Sequence, residues 1–178
     1  MSSVPVCPVP KEQQPLEEYQ ALKDAWFFRW AALERFQYHR PFIVFWGIGW
    51  LISAPIASVS FPMAKDPVHF GLSSAAGATI IPLLVLLRIY LGWFYIRNRL
   101  LDETVVYEES GWYDGQVWDK PPEVVERDRL IVSYQIQPIL NRLKTTFLII
   151  GLSFLAGFIV WWTLTVVQSL NSSIQLMS

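Results

Sequence analysis

Few side chains in this chain have the types or spacing that chemistry needs. The soft metal-ligating groups are two histidines, His39 and His69, and one cysteine, Cys7, and no His-x-x-x-His or Glu-x-x-His pattern pairs either histidine with a second ligand. A lone cysteine excludes an intramolecular disulfide and any cage built from several thiolates. A histidine beside an apolar helix can be an axial ligand to haem or chlorophyll magnesium. The bland reading, a hydrogen-bonded or solvated interfacial histidine, is the stronger one for both. The carboxylates Asp102, Glu103, Glu108, Glu109, Asp114 and Asp119 cluster without a histidine, as solvated surface charges do, so no acid–base pair is expected there. Gly111 to Gly115 lacks the Lys-Ser/Thr that completes a phosphate loop. Fourteen basic against 15 acidic side chains leave a net charge of −1, without the basic excess that binding to nucleic acid requires. The expectation is a protein that is not an enzyme, with no cofactor of its own; chlorophyll or lipid contact stays open.

The elements that position these residues are set by where charge is missing. Of 178 residues, 53% are hydrophobic and 16% charged, against roughly 25% charged in soluble domains. Arg40 and Lys65 bracket a charge-free stretch, and residues 41–62 within it suffice for the ~20 that cross ~30 Å of hydrocarbon. Residues 72–96 hold one charge, Arg88, and end in Tyr90, Trp93, Phe94 and Tyr95; residues 145–170 hold none. All three stretches must be helical, because an open strand in lipid leaves its backbone groups unpaired. Basic residues crowd the segment before the first span and the one between spans two and three. The positive-inside rule therefore puts residues 1–40 and 97–144 in the cytoplasm or its equivalent, with the tail 171–178 outside. Met1 to Pro10 reads as neither a secretory signal nor a transit peptide, so the first span is expected to serve as its own signal.

Two non-spanning pieces remain. From Pro15 to Tyr38, Leu16, Tyr19, Leu22, Trp26, Trp30, Leu33 and Phe36 recur every three or four residues, which predicts an amphipathic helix. Trp26 and Trp30 would seat it at the membrane interface; docking on a partner or on the middle loop is the other option. In the middle loop, Thr104 to Tyr107 favours a strand, Ser110-Gly111 and Asp114-Gly115 signal turns, and Gln116 to Trp118 could return antiparallel. Pro121-Pro122 ends this hairpin, a helix follows over Glu123 to Tyr134, and Pro138 is expected to kink or break it. The fold class is a mainly α membrane protein: three transmembrane helices, an N-terminal amphipathic interfacial helix, and a small cytoplasmic β-hairpin module between helices two and three.

Arg88 stands apart, since a charge near the centre of a span costs on the order of 2.5 kcal/mol or more. It either snorkels to the inner headgroups or pairs with a partner protein or an anionic lipid. Gly49, Ser53 and Ala57 in the first span, and Gly71, Ser74, Ala75 and Ala78 in the second, allow close helix approach. The simplest use of them is a hairpin within the chain. On the cytoplasmic side, Trp112, Tyr113, Asp114, Gln116 and Trp118 are the candidate partner-binding residues, with the hairpin's own core as the competing use.

Cys7-Pro8-Val9-Pro10, Gln13-Gln14-Pro15, Glu18-Tyr19, the run Tyr107 to Gln116, Trp118 and Lys120-Pro121 resemble a family of cyanobacteria and photosynthetic eukaryotes. It is known as protein twenty-seven of the set conserved in the green lineage and diatoms, and as hypothetical plastid reading frame thirty-six. The resemblance implies a multi-pass thylakoid protein with its N-terminus and middle loop in the stroma or cyanobacterial cytoplasm and its C-terminus in the lumen. It implies a part in photosystem biogenesis or in acclimation to iron limitation and light stress. The reading is a non-catalytic auxiliary factor that binds membrane lipids and a photosystem, the photosystem II core favoured, during assembly or repair. A photosystem I assembly factor and a chlorophyll-handling or stress-acclimation protein are the alternatives.

Overall fold

The computed structural model describes residues 7–107 and 115–177. Its regular elements are helices α1 (Pro15–Asp24), α2 (Trp26–Arg29), α3 (Arg35–Ser60) and α4 (Pro67–Leu101), strands β1 (Thr104–Tyr107) and β2 (Gln116–Asp119), and helices α5 (Pro122–Ile131) and α6 (Gln137–Met177). Three helical stretches are long and apolar enough to cross a membrane: Phe36–Ser60, Pro67–Leu101 and Pro122–Leu170. The chain divides into two compact units. The first comprises Met1–Tyr38 and Leu87–Leu143, the second His39–Leu86 and Lys144–Ser178.

In the first unit the expected single amphipathic helix is broken. α1 starts as the sequence suggests, with Pro15 at its first position and Glu17 and Glu18 in the first turn, where acids favour the helix dipole. It stops at Ala25, whose ψ of 123° is extended, although alanine is a good helix former. The gain lies in burial. The break lets Tyr19 meet Trp93 edge-to-face at 6.2 Å and Trp30 pack against Tyr38 at 6.3 Å, and all four rings are buried. Tertiary packing of the aromatics outweighs the local propensity. Trp30, expected at the interface beside Trp26, is therefore interior, whereas Trp26 is 82% exposed.

The two strands pair where their strand formers placed them, while the turn signals Ser110-Gly111 and Asp114 lie outside the described residues. β1 and β2 pair antiparallel with Thr104 opposite Asp119 and Tyr107 opposite Gln116. Val105 and Tyr107 point inward and join Val9 in a small core, against which Cys7 and Trp118 pack. A two-strand sheet is marginal alone, and this one is stabilised by the N-terminal segment lying on its apolar face. Pro138 does not break the helix that follows. The turn Val132–Ile136 is π-helical, and such a local widening rearranges the hydrogen bonds around a proline that lacks an N–H. Helical structure therefore runs on from α5 into α6.

The second unit contains most of α3, the first half of α4 and the apolar length of α6. α3 and α4 form the antiparallel pair that the small residues foretold. Trp46 Nε1 donates to Thr79 Oγ1 at 3.2 Å, a Cβ on Gly49 would collide with the backbone of Ala78, and one on Gly77 would collide with the Ser53 side chain. α4 starts five residues before the apolar stretch, because Asp66 and Pro67 supply a helix start. The Asp66 carboxylate accepts the His69 backbone N–H at 3.3 Å, and Pro67 fills the first position. Most of the large apolar side chains stay outside, Leu51, Val59, Leu148 and Trp162 among them, an extent of exposed apolar surface that calls for an apolar surrounding.

Gly49→Ala should destabilise the protein by about 1–3 kcal/mol, since the backbone it meets cannot rotate away. Gly47→Ala, with nothing within 4 Å, should be near neutral. Thermal unfolding of both variants in mild detergent, followed by tryptophan fluorescence, reads the difference.

Candidate functional site

The densest polar site lies in the first unit, where β2 meets the end of α4. Lys120 is 7% exposed. Its ammonium donates to the carbonyls of Arg99 and Leu100, both at 3.1 Å, and to Asp128 Oδ2 at 3.2 Å. The two carbonyls belong to the last turn of α4, where no intrahelical donor remains, and a cation there also suits the helix dipole. Asp128, 1% exposed, accepts at its other oxygen from Arg127 Nε and Nη2 at 3.2 and 3.0 Å. One side chain thus ties β2, α4 and α5 together. A second tie runs from Arg99, whose guanidinium takes both Glu18 oxygens at 3.3 and 3.0 Å and the Gln13 carbonyl at 3.0 Å, fixing the N-terminal segment to α4. These charges satisfy one another and hold structure. Among the described residues no group of three or more His, Cys, Asp or Glu side chains could hold a metal ion.

The candidate partner-binding residues separate. Trp112, Tyr113 and Asp114, with Glu108 and Glu109, lie outside the described residues. Trp118 is half-buried against the hairpin core, and Gln116 accepts from the Tyr107 hydroxyl at 3.0 Å, so both contribute to the hairpin itself. Arg88 has a partner that neither snorkelling nor intermolecular pairing supposed. Its guanidinium sits 5.3 Å above the Phe28 ring, which lies along α4 between Arg88 and Gly92. A cation over an aromatic face at an exposed site is worth about 0.5–1 kcal/mol, which offsets part of the cost of an apolar setting.

In the second unit His39, near the start of α3, is exposed, whereas His69 is 3% exposed. The His69 ring stacks on Phe61 at 5.6 Å and meets Trp161 edge-on at 4.5 Å. Nδ1 lies 2.7 Å from Asp66 Oδ2 and Nε2 3.5 Å from Thr165 Oγ1. Axial ligation by this histidine would require one of those polar contacts to break. The side-chain hydrogen bond from His69 is the main reason the Asp66 carboxyl is held below its usual range, with the backbone N–H and the ring's charge acting in the same direction and burial opposing them. An apolar groove of about 680 Å³ opens between α3, α4 and α6; Phe42, Trp46, Ala76, Ser153, Gly157 and Trp161 are among the residues that line it.

Residues 7–149 match the family model described as CGLD27-like, conserved in the green lineage and diatoms 27. The chain belongs to this family. It is 45% identical over 140 residues to the uncharacterized protein ycf36 of Pyropia yezoensis, covering 79% of this chain and 85% of that one. It is 46% identical over 140 residues to the protein of the same name in Cyanophora paradoxa, covering 79% and 88%. With the chloroplastic protein Conserved in the green lineage and diatoms 27 of Arabidopsis thaliana, identity is 39% over 165 residues, 90% of this chain and 49% of that longer one. No solved structure matches. The family match spans both polar ties and the hairpin. Sequence reasoning missed both ties, Lys120–Asp128 and Arg99–Glu18, whose members share no motif; it also missed the Asp66-Pro67-x-His69 start of α4, although that was a readable signal.

Lys120→Met should cost about 3–5 kcal/mol, because it strands the Asp128 carboxylate in the interior. Lys120→Met with Asp128→Leu should recover part of that loss but not all, since the Arg99 and Leu100 carbonyls stay uncapped. Thermal melts of the two variants beside the parent give the comparison. For Asp66, a lowered carboxyl pKa stabilises the fold above the ordinary carboxylate range and loses its effect as pH falls through the folded value. The difference in melting temperature between the parent and Asp66→Asn should therefore persist at pH 5 and shrink below about pH 4, the usual carboxylate range.

Proposed function

We propose that this protein is a non-catalytic membrane factor of the photosynthetic membrane that holds a subunit of the photosystem II core during assembly or repair. The observation that carries the reading is the second unit's apolar surface. Three helices long enough to span a bilayer leave large side chains exposed around an open groove, more apolar surface than their own packing uses. In a bilayer there is no hydrophobic drive between helices, so association rests on shape, small residues and hydrogen bonds. A groove with Ser73, Ala76, Ser153 and Gly157 in its lining suits a helix of another subunit. The first unit supports the same reading differently: its buried charges brace a hairpin and helix ends, as a scaffold requires.

Placement in the thylakoid, with the basic segments on the stromal or cytoplasmic side and the C-terminus in the lumen, is part of this proposal and is supported by the positive-inside pattern and by family membership. The name chloroplastic carried by the Arabidopsis thaliana relative is in keeping with it. On this reading the membrane lies along the three apolar helices and the hairpin faces the partner's stromal surface.

A tag at the C-terminus, mild-detergent extraction and a native gel followed by mass spectrometry and an absorption spectrum test the proposal. Photosystem II core subunits in the eluate are the expected result. Photosystem I subunits in their place would transfer the role to that complex, and a colourless eluate holding this protein alone would overturn it.

A further inference from the structure

The first unit holds a second cavity, of about 350 Å³, that neither the polar ties nor the family match accounts for. Lys23 from α1 and Arg142 from α6 both line it, and no carboxylate is among its lining residues. Its polar wall is Tyr19 and Gln135, and Trp93 is part of its apolar wall. We propose that this cavity binds a tetrahedral oxyanion, phosphate or sulfonate, presented as the headgroup of an anionic lipid.

Four features support the assignment. First, Arg142 is held in place: its Nη1 donates to the Leu33 carbonyl and its guanidinium lies 4.1 Å above the Tyr38 ring. A planar, oriented guanidinium is the group best matched to a phosphate's paired oxygens. Second, Lys23 is exposed and in no ion pair among the described residues; its ammonium lies 5.8 Å from the Tyr19 ring centre, so a flexible cation and a fixed one share the lining. Third, Gln135 uses its carbonyl oxygen on the Tyr19 hydroxyl at 2.5 Å, which directs its amide N–H₂ away from that bond as a neutral donor. Gln135 sits on the π-helical turn Val132–Ile136, and such turns are frequent at functional sites.

The fourth feature decides between a lipid and a free ion. Ala31, Trp93 and Ile139 make part of the lining apolar, which suits the glycerol and first methylenes of a lipid better than a hydrated ion. Arg142 is followed by Lys144 and then by the charge-free length of α6, so a headgroup at Arg142 would have its chains beside an apolar helix. The lipid source rests on the membrane placement proposed above, whereas the oxyanion site does not depend on it.

The test uses the full chain in mild detergent. Phosphatidylglycerol or phosphatidylcholine is added at equal amounts, retained lipid is read by native mass spectrometry, and potassium phosphate against potassium chloride at matched ionic strength is read by thermal shift. Phosphatidylglycerol should be retained in preference to phosphatidylcholine, and Lys23→Gln should weaken it about fivefold, the worth of one basic residue near an anionic headgroup. Lys11→Gln, an exposed lysine outside the cavity, should leave it unchanged. Arg142→Gln should weaken retention further; Lys23→Gln keeps the test valid if that variant unfolds. Stabilisation by phosphate that Lys23→Gln removes, without preference between the lipids, would keep the oxyanion site and reject the lipid source. Equal retention of both lipids with no effect of phosphate, or retention indifferent to Lys23→Gln, would overturn the proposal, whatever the pull-down finds.

Discussion

A single buried ammonium sets the terms for the first unit. Taking Lys120 out of water costs several kcal/mol, and so does taking out Asp128; the arrangement is tolerable only because every partner is in place at once. Lys120 meets the last carbonyls of α4, and Asp128 meets Lys120 and Arg127. The pair is therefore a condition on geometry more than a source of stability. If β2, the end of α4 or α5 shifted, a charge would be left in the interior. The backbone adds to this: Lys120 N–H donates to the Glu103 carbonyl at 2.9 Å, continuing the hairpin's hydrogen bonds beyond Asp119. By comparison, the exposed Arg129–Glu103 pair contributes little, as ion pairs in water do.

The second unit obeys a different rule, because its helices leave most of their large apolar side chains outside and meet one another over few of them. Shape takes over there. Gly49 lets α3 meet the backbone of α4 at Ala78, Gly77 leaves room for the Ser53 side chain, and the aromatic group of Phe61, His69 and Trp161 joins α6 to the start of α4. Asp66 has two jobs at that point: it caps the first turn of α4 and meets the His69 ring.

How much could be read beforehand depended on whether the signal was local. Charge-free stretches revealed the three apolar helices, since any charge in such a span is costly. Strand formers revealed the two paired strands for the same local reason. The helix break at Ala25 carried no signal, because alanine breaks nothing; Tyr19 and Trp30 decide it through partners distant in sequence. Pro138 signalled an irregularity correctly but not its form: the helical structure continues past it, with the π-helical turn Val132–Ile136 just before it. Of the candidate site, the spacing of Gly49 and Ser53 spoke correctly for an internal hairpin. Arg88 was recognised as needing compensation, but Phe28, some sixty residues earlier, could not be named from spacing.

The knot at Lys120 also fixes the two ends of the chain segment that forms the hairpin. β1 leaves from just beyond α4 and β2 returns to the ammonium that caps it, so the ends stay together whatever connects the strands. The pairing of β1 with β2 and the capping of α4 are therefore coupled, so that a change that loosens one loosens the other.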